Sequence, residues 1–208
     1  MATQASQRAT SLVVVRHGET SANTDGVWHG STDTPLTARG HAQARCVAER
    51  LARECSDVVA IYSSDLRRAL DTATPIARAL GLEVQTERGL REYDLGSWEG
   101  KTYRELLTEH RLWDHMRADP HYAPHGGESP LGVAERLCAT LRAIALRHEG
   151  SRVVVVSHGG ALSLAFGLLL DRDYGQWRRV MDNCAVTELT LEPLALLRFN
   201  DKTHLDAL

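Results

Sequence analysis

The chain has 208 residues, enough for one domain with a substantial buried core. Its 43% apolar and 25% charged content is that of a soluble globular protein, and a net charge of −3 gives no electrostatic footprint for nucleic acid. The longest apolar run, Ala161 to Leu170, is too short to span a bilayer, so it reads as a buried helix and no membrane partner is expected.

Residues 1–10 are rich in Ala, Ser, Thr and Gln and read as a disordered leader, with a single domain over 11–208. Leu12 to Val15 is fully apolar, as in a strand covered on both faces. Loop residues follow to Pro35. Thr37 then caps a helix whose inner stripe is Ala44, Val47, Ala48 and Leu51. Val58 to Tyr62 is the next strand. Ser63-Ser64-Asp65 is expected to cap a helix with Ala69, Ala73, Ile76 and Leu80 inside, kinked or interrupted at Pro75 and stopped at Gly81. Leu82 to Thr86 alternates like a strand. Residues 88–101 are irregular, and Thr102 with Glu105 signals a capping box.

Residues 119–128 carry two prolines and two glycines and are expected to form an ordered loop or lid. Ser129-Pro130 opens a helix with the stripe Ala134, Leu137, Leu141, Ile144 and Ala145. Val153 to Val156 is a second fully apolar strand, followed by a helix near Gly160. Val186–Leu191 and Leu194–Phe199 read as a pair of edge strands joined through Pro193. Alternating strands and helices predict an α/β three-layer sandwich, a mostly parallel sheet with helices on both faces. The cysteines Cys46, Cys55, Cys138 and Cys184 show no zinc or Cys-x-x-Cys spacing. They read as reduced residues of a cytoplasmic protein with no metal and no cofactor.

Chemistry concentrates at two strand ends. Val13-Val14-Val15 runs into Arg16-His17-Gly18-Glu19-Thr20, and Val154-Val155-Val156-Ser157 runs into His158-Gly159. Ligands of such sheets bind outside the carboxyl ends of the strands. A guanidinium is a planar fork suited to phosphate oxygens, and a neutral imidazole is a nucleophile.

The order of motifs along the chain resembles that of the histidine phosphatase superfamily, the phosphoglycerate mutase-like proteins. The resemblance rests on Arg16-His17-Gly18-Glu19-Thr20 and on Asn23 six residues after His17. It continues through Asp33-Thr34-Pro35-Leu36-Thr37 with Gly40 and Gln43, then Ser63 to Ala69 with Thr72-Ala73. Arg91-Glu92 with Gly96 and Glu99-Gly100, and Ser157-His158-Gly159, complete it. The Gly126-Gly127-Glu128-Ser129 loop and the Asn200-Asp201-Lys202-Thr203-His204-Leu205 tail fit the phosphatase-type branch.

The resemblance implies a phosphoglycerate mutase-like fold and a metal-independent phosphoric monoester hydrolase acting on a small phosphorylated metabolite through a phosphohistidine. His17 would be the nucleophile and Glu92 the general acid. Arg16, Arg68, Asn23 and a protonated His158 would hold the phosphoryl oxygens. A carboxyl delivers a proton only if it holds one, which burial or bound phosphate favours. His29, Gly30, His125 and Glu128 are candidate substrate-binding residues, as are Trp28, Trp98, Tyr103, Tyr122 and Ser129. His29 stands where relatives often carry Gln. Arg67 reads as solvated, and Glu19 and Glu99 as residues that orient loops. Two alternatives stand beside the hydrolase: a phosphoglycerate mutase-type phosphotransferase and a non-catalytic binder of phosphorylated ligands. A homodimer is one oligomeric state the sequence leaves open.

Overall fold

The computed structural model describes residues 9–123, 126–173 and 178–208. Strand β1 (Ser11–Arg16) is followed by a one-turn helix α1 (Ser21–Thr24), α2 (Ala38–Glu54), β2 (Val58–Ser63) and α3 (Arg67–Leu80). Then come β3 (Val84–Thr86), two 3-10 turns, the short helices α4 (Tyr103–Thr108) and α5 (Leu112–Ala118), and α6 (Pro130–Arg147). Strand β4 (Arg152–Ser157), α7 (Gly159–Phe166), β5 (Val186–Leu191) and β6 (Leu194–Asp201) complete the order.

The sheet order is β3-β2-β4-β1-β5-β6. The first four strands are mutually parallel, while β5 and β6 add antiparallel to β1. The apolar runs of β1 and β4 make sense in this centre. Leu12, Val14, Val153 and Val155 face α6 and α7, and Val13, Val15, Val154 and Val156 face α2 and α3. Both faces are covered, so neither strand alternates. The expected three-layer sandwich is the observed one.

Four local expectations need correction. The helix after β2 is capped by Leu66 without a side-chain bond, because Asp65 is taken by Arg91 at 2.6 and 2.7 Å. Helix α3 runs unbroken through Pro75, since Ala69, Ala73, Ile76 and Ala77 pack it to the sheet on both sides of that residue. Strand β3 begins only at Val84, because Gly81 (φ 68°) closes α3 and the Leu82 N–H is donated back to Ala77 O at 3.0 Å. Of the expected edge pair only β6 is an edge strand, since β5 is paired to β1 on its other side; the opposite edge is β3. Of the stretch expected to be a leader, Thr10 is tied to the fold, its Oγ1 accepting from Gly150 N–H at 3.1 Å, and residues 1–8 lie outside the described residues. Among the described residues no helix is long and apolar enough to cross a membrane, and no cluster of His, Cys, Asp or Glu is arranged to hold a metal ion.

Candidate active site

In the β1–β4 pairing Arg16 lies opposite Ser157, so His17 and His158 leave neighbouring strands together. Their ring centroids are 5.1 Å apart. The turn after His17 is held against α2 and α3. The Gly18 N–H donates to Thr72 Oγ1 at 2.9 Å, and the Glu19 N–H to Gln43 Oε1 at 2.9 Å. A Cβ on Gly18 would lie 2.7 Å from Gly40 O, so the two backbones touch where both motifs carry glycine.

The two imidazoles are wired oppositely. His17 Nδ1 is 2.8 Å from Gly18 O. A carbonyl only accepts, so Nδ1 carries the proton and Nε2 keeps its lone pair. His158 Nδ1 instead accepts from Arg68 Nε at 3.2 Å, so its proton sits on Nε2. That Nε2 is buried and has no hydrogen-bond partner among the described residues. Burial, then the Arg68 guanidinium, pushes both imidazoles well below the usual histidine range. In this tautomer His158 presents an Nε2–H donor, and the fixed positive charge beside it is that of the arginines.

Arg68 is fully buried at the base of α3. Besides His158 it donates to Thr32 O at 2.9 Å and Gly30 O at 2.6 Å. It thereby locks the loop before α2 onto the site. Glu99 holds the same loop from outside, accepting from the backbone and hydroxyls of Ser31 and Thr32 at 2.6–3.0 Å. Burial opposes ionisation of Glu99, but those hydrogen bonds together hold its carboxyl below the usual range. Arg67 is exposed and faces Asp71, and Glu19 pairs with Arg39 and Thr37, as expected of solvated and loop-orienting groups.

Glu92 lies beside the start of α7. Its carboxylate accepts from Gly160 N–H at 3.0 Å, Ala161 N–H at 2.6 Å and Tyr93 N–H at 2.8 Å. These three donors fix the position of the carboxyl at the N-terminus of α7. Arg136 fixes the chain behind it, donating to the carbonyls of Gly89, Arg91 and Glu92. Asn23 Oδ1 accepts from the Thr20 backbone and hydroxyl, and from Asn183 Nδ2 at 3.1 Å. Asn183, which sequence reasoning missed, also donates to His17 O at 3.0 Å.

Arg16, His17, Asn23, His29, Glu92 and the Gly159-Gly160 turn line one cavity of about 260 Å³. Trp28, Tyr103, Trp113 and Val180 form the rest of its wall. Trp113 and Val180 carried no sequence signal. His29 is buried rather than turned to solvent, with Nδ1 bonded to Thr34 Oγ1 and its ring 5.9 Å from His17. Glu128 does not line this cavity, because Arg136 takes both its oxygens at 2.7 Å. Trp98 packs on His110, and Ser129 caps α6. His125 lies outside the described residues.

Two imidazoles of opposite tautomer, two arginines and a helix-held carboxyl at the carboxyl edge of a parallel sheet define a site built for phosphoryl transfer. The chain belongs to the histidine phosphatase superfamily (branch 1), whose family profile matches residues 12–201. It is 36% identical over 197 residues to a glucosyl-3-phosphoglycerate phosphatase of Mycobacterium tuberculosis, covering 88% of this chain and 86% of the relative. It is also 36% identical over 183 residues to a probable phosphoglycerate mutase of Proteus mirabilis, covering 86% and 83%. A crystal structure of phosphoserine phosphatase from Entamoeba histolytica, in complex with 3-phosphoglyceric acid, superposes with a TM-score of 0.84 at 30% identity, covering 94% of this chain and 99% of that one.

Proposed function

We propose that the protein hydrolyses phosphate monoesters of small metabolites through a phosphohistidine on His17. The observation that carries this reading is the Nδ1 bond from His17 to Gly18 O, which leaves Nε2 unprotonated in the cavity that Arg16 and Glu92 share. In the first step Nε2 bonds to phosphorus as the ester P–O bond breaks, and the Glu92 carboxyl gives its proton to the departing alkoxide. In the second, water attacks phosphorus, the N–P bond breaks, Glu92 takes the water proton, and inorganic phosphate leaves. Arg16 and the His158 Nε2–H stabilise the charge on the transferring group, and Arg68 acts through His158.

Relatives named as phosphatases of glucosyl-3-phosphoglycerate and phosphoserine support hydrolysis. The four free cysteines support a reducing compartment, the cytoplasm. The test is a rapid quench during turnover of a phosphomonoester labelled in its phosphate. The expected result is an acid-labile phosphoenzyme that is absent in His17→Ala, together with released inorganic phosphate. Conversion of 3-phosphoglycerate to its 2-isomer without phosphate release would select the mutase reading. Undiminished turnover in His17→Ala would exclude a phosphohistidine there.

A further inference from the structure

The cavity has two chemically different ends. At the phosphate end stand Arg16, His17 and Asn23. The other end is the side from which Glu92 protonates the leaving oxygen. A Cβ on Gly160 would meet Trp28 Cζ2 at 2.7 Å and Glu92 Oε1 at 2.8 Å, so the Trp28 ring and the acid flank one glycine. Trp28 is in turn edge-on to Tyr103 (centroids 5.6 Å) and Trp113 (6.5 Å). Val180, half exposed, completes this wall at the mouth.

Among the described residues lining the cavity, the one fixed cation is Arg16, whose Nη1 donates to Met181 O at 2.5 Å. A carboxylate carried into the aromatic end would lose its water, and among the described lining residues the one cation near it is the arginine that the transferring phosphate engages. It would also approach Glu92. A flat neutral ring meets the opposite situation: apolar surface to bury, and ring edges and faces to stack on.

Building on the hydrolase reading above, we propose that the leaving group this site selects is an uncharged aromatic alcohol, not a carboxylate-bearing three-carbon chain. The Trp28–Tyr103–Trp113 wall recognises the ring while His17 takes the phosphoryl group.

Benzyl phosphate and 3-phosphoglycerate are both esters of primary alcohols, so their P–O cleavage is closely matched and the ratio of their kcat/KM values reads the wall. The expected ratio for the wild-type enzyme is about ten or more in favour of benzyl phosphate, the usual reach of an apolar pocket. Trp113→Ala should cut that ratio several-fold. The ratio is insensitive to how much of the variant is folded. Val180→Arg, at the exposed mouth, should cut it too by bringing a cation to that end. A wild-type ratio of one or less, with phosphate released from 3-phosphoglycerate, overturns the inference and leaves the hydrolase reading standing. A ratio unmoved by both substitutions also overturns it. Release of phosphate from neither ester overturns the hydrolase reading itself, and the inference with it.

Discussion

His17 and His158 leave neighbouring strands, each after a run of valines and each before a glycine, and both are buried. Their roles diverge through a single contact. Beside His17 the nearest partner is an acceptor, the Gly18 carbonyl, and the ring keeps a lone pair on Nε2. Beside His158 it is a donor, Arg68 Nε, and the ring presents an N–H on Nε2. The same side chain in nearly the same strand context thus keeps an Nε2 lone pair in one place and an Nε2–H in the other, the difference on which the proposed roles of nucleophile and oxyanion donor rest. The residue before each histidine follows the same division. Ser157 turns inward to Leu90 O at 2.8 Å, whereas the Arg16 guanidinium lies over Gly159, where a Cβ would come within 2.9 Å of Cζ.

The comparison is broken most directly by removing one imidazole at a time. His158→Ala should lower kcat by about 10²- to 10³-fold, the usual cost of one oxyanion donor, while a slowly formed phosphoenzyme is still trapped. His17→Ala should yield none. If His158→Ala fails to label and His17→Ala labels, the two roles are exchanged.

A smaller effect is expected from the residue that sets the difference. Arg68→Lys keeps the charge but loses the rigid fork that reaches His158 Nδ1, Gly30 O and Thr32 O together. We expect a loss of between about 10- and 100-fold in kcat, in line with displacement of a positioned group. The nitrogen chemical shifts of His158 should report a mixed tautomer in this variant. An unchanged Nε2–H tautomer would show that Arg68 does not set it.

The placement of both histidines was legible because a fully apolar run fixes a central strand, and the strand's exit fixes the site. The layer assignment followed from the same runs. Other parts depended on contacts that no local pattern encodes. Trp113 sits on α5, where an aromatic residue beside Leu112 and Met116 reads as core. Asn183 precedes Cys184, which takes a left-handed conformation (φ 54°) and donates its N–H to Arg16 O at 3.0 Å, a turn with no glycine to announce it. The direction of Glu128 was decided by Arg136, two turns into the next helix. The tail motif was legible as a resemblance, but what holds it was not: Arg50 contacts Asp201 and His204, and His204 reaches Cys184 O at 3.0 Å.

His29 extends the comparison to a third imidazole, and its effect is expected in stability more than in rate. Burial, then Arg68 and Arg16, pushes its pKa down from 6.5 to about 3. Between those values the unfolded chain binds a proton that the native site excludes, so stability rises with pH through this window. It is fully present above about 6.5 and is lost as the pH falls toward 3. His17 and His158 are shifted the same way and add to the slope. Depressed carboxyls such as Asp65 and Asp182 act only further down, below their ordinary value of 3.8. Each pH unit inside the window is worth about 1.4 kcal/mol per imidazole, so from pH 7 to pH 5 His29 accounts for about 2 kcal/mol. Urea unfolding of His29→Gln at both pH values should show a drop smaller by that amount than in the wild type. Any pH-independent loss of the Thr34 bond cancels in the difference. Equal drops would mean that His29 takes up its proton within the native site, and would align it with a charged phosphate-binding group instead of a neutral wall residue.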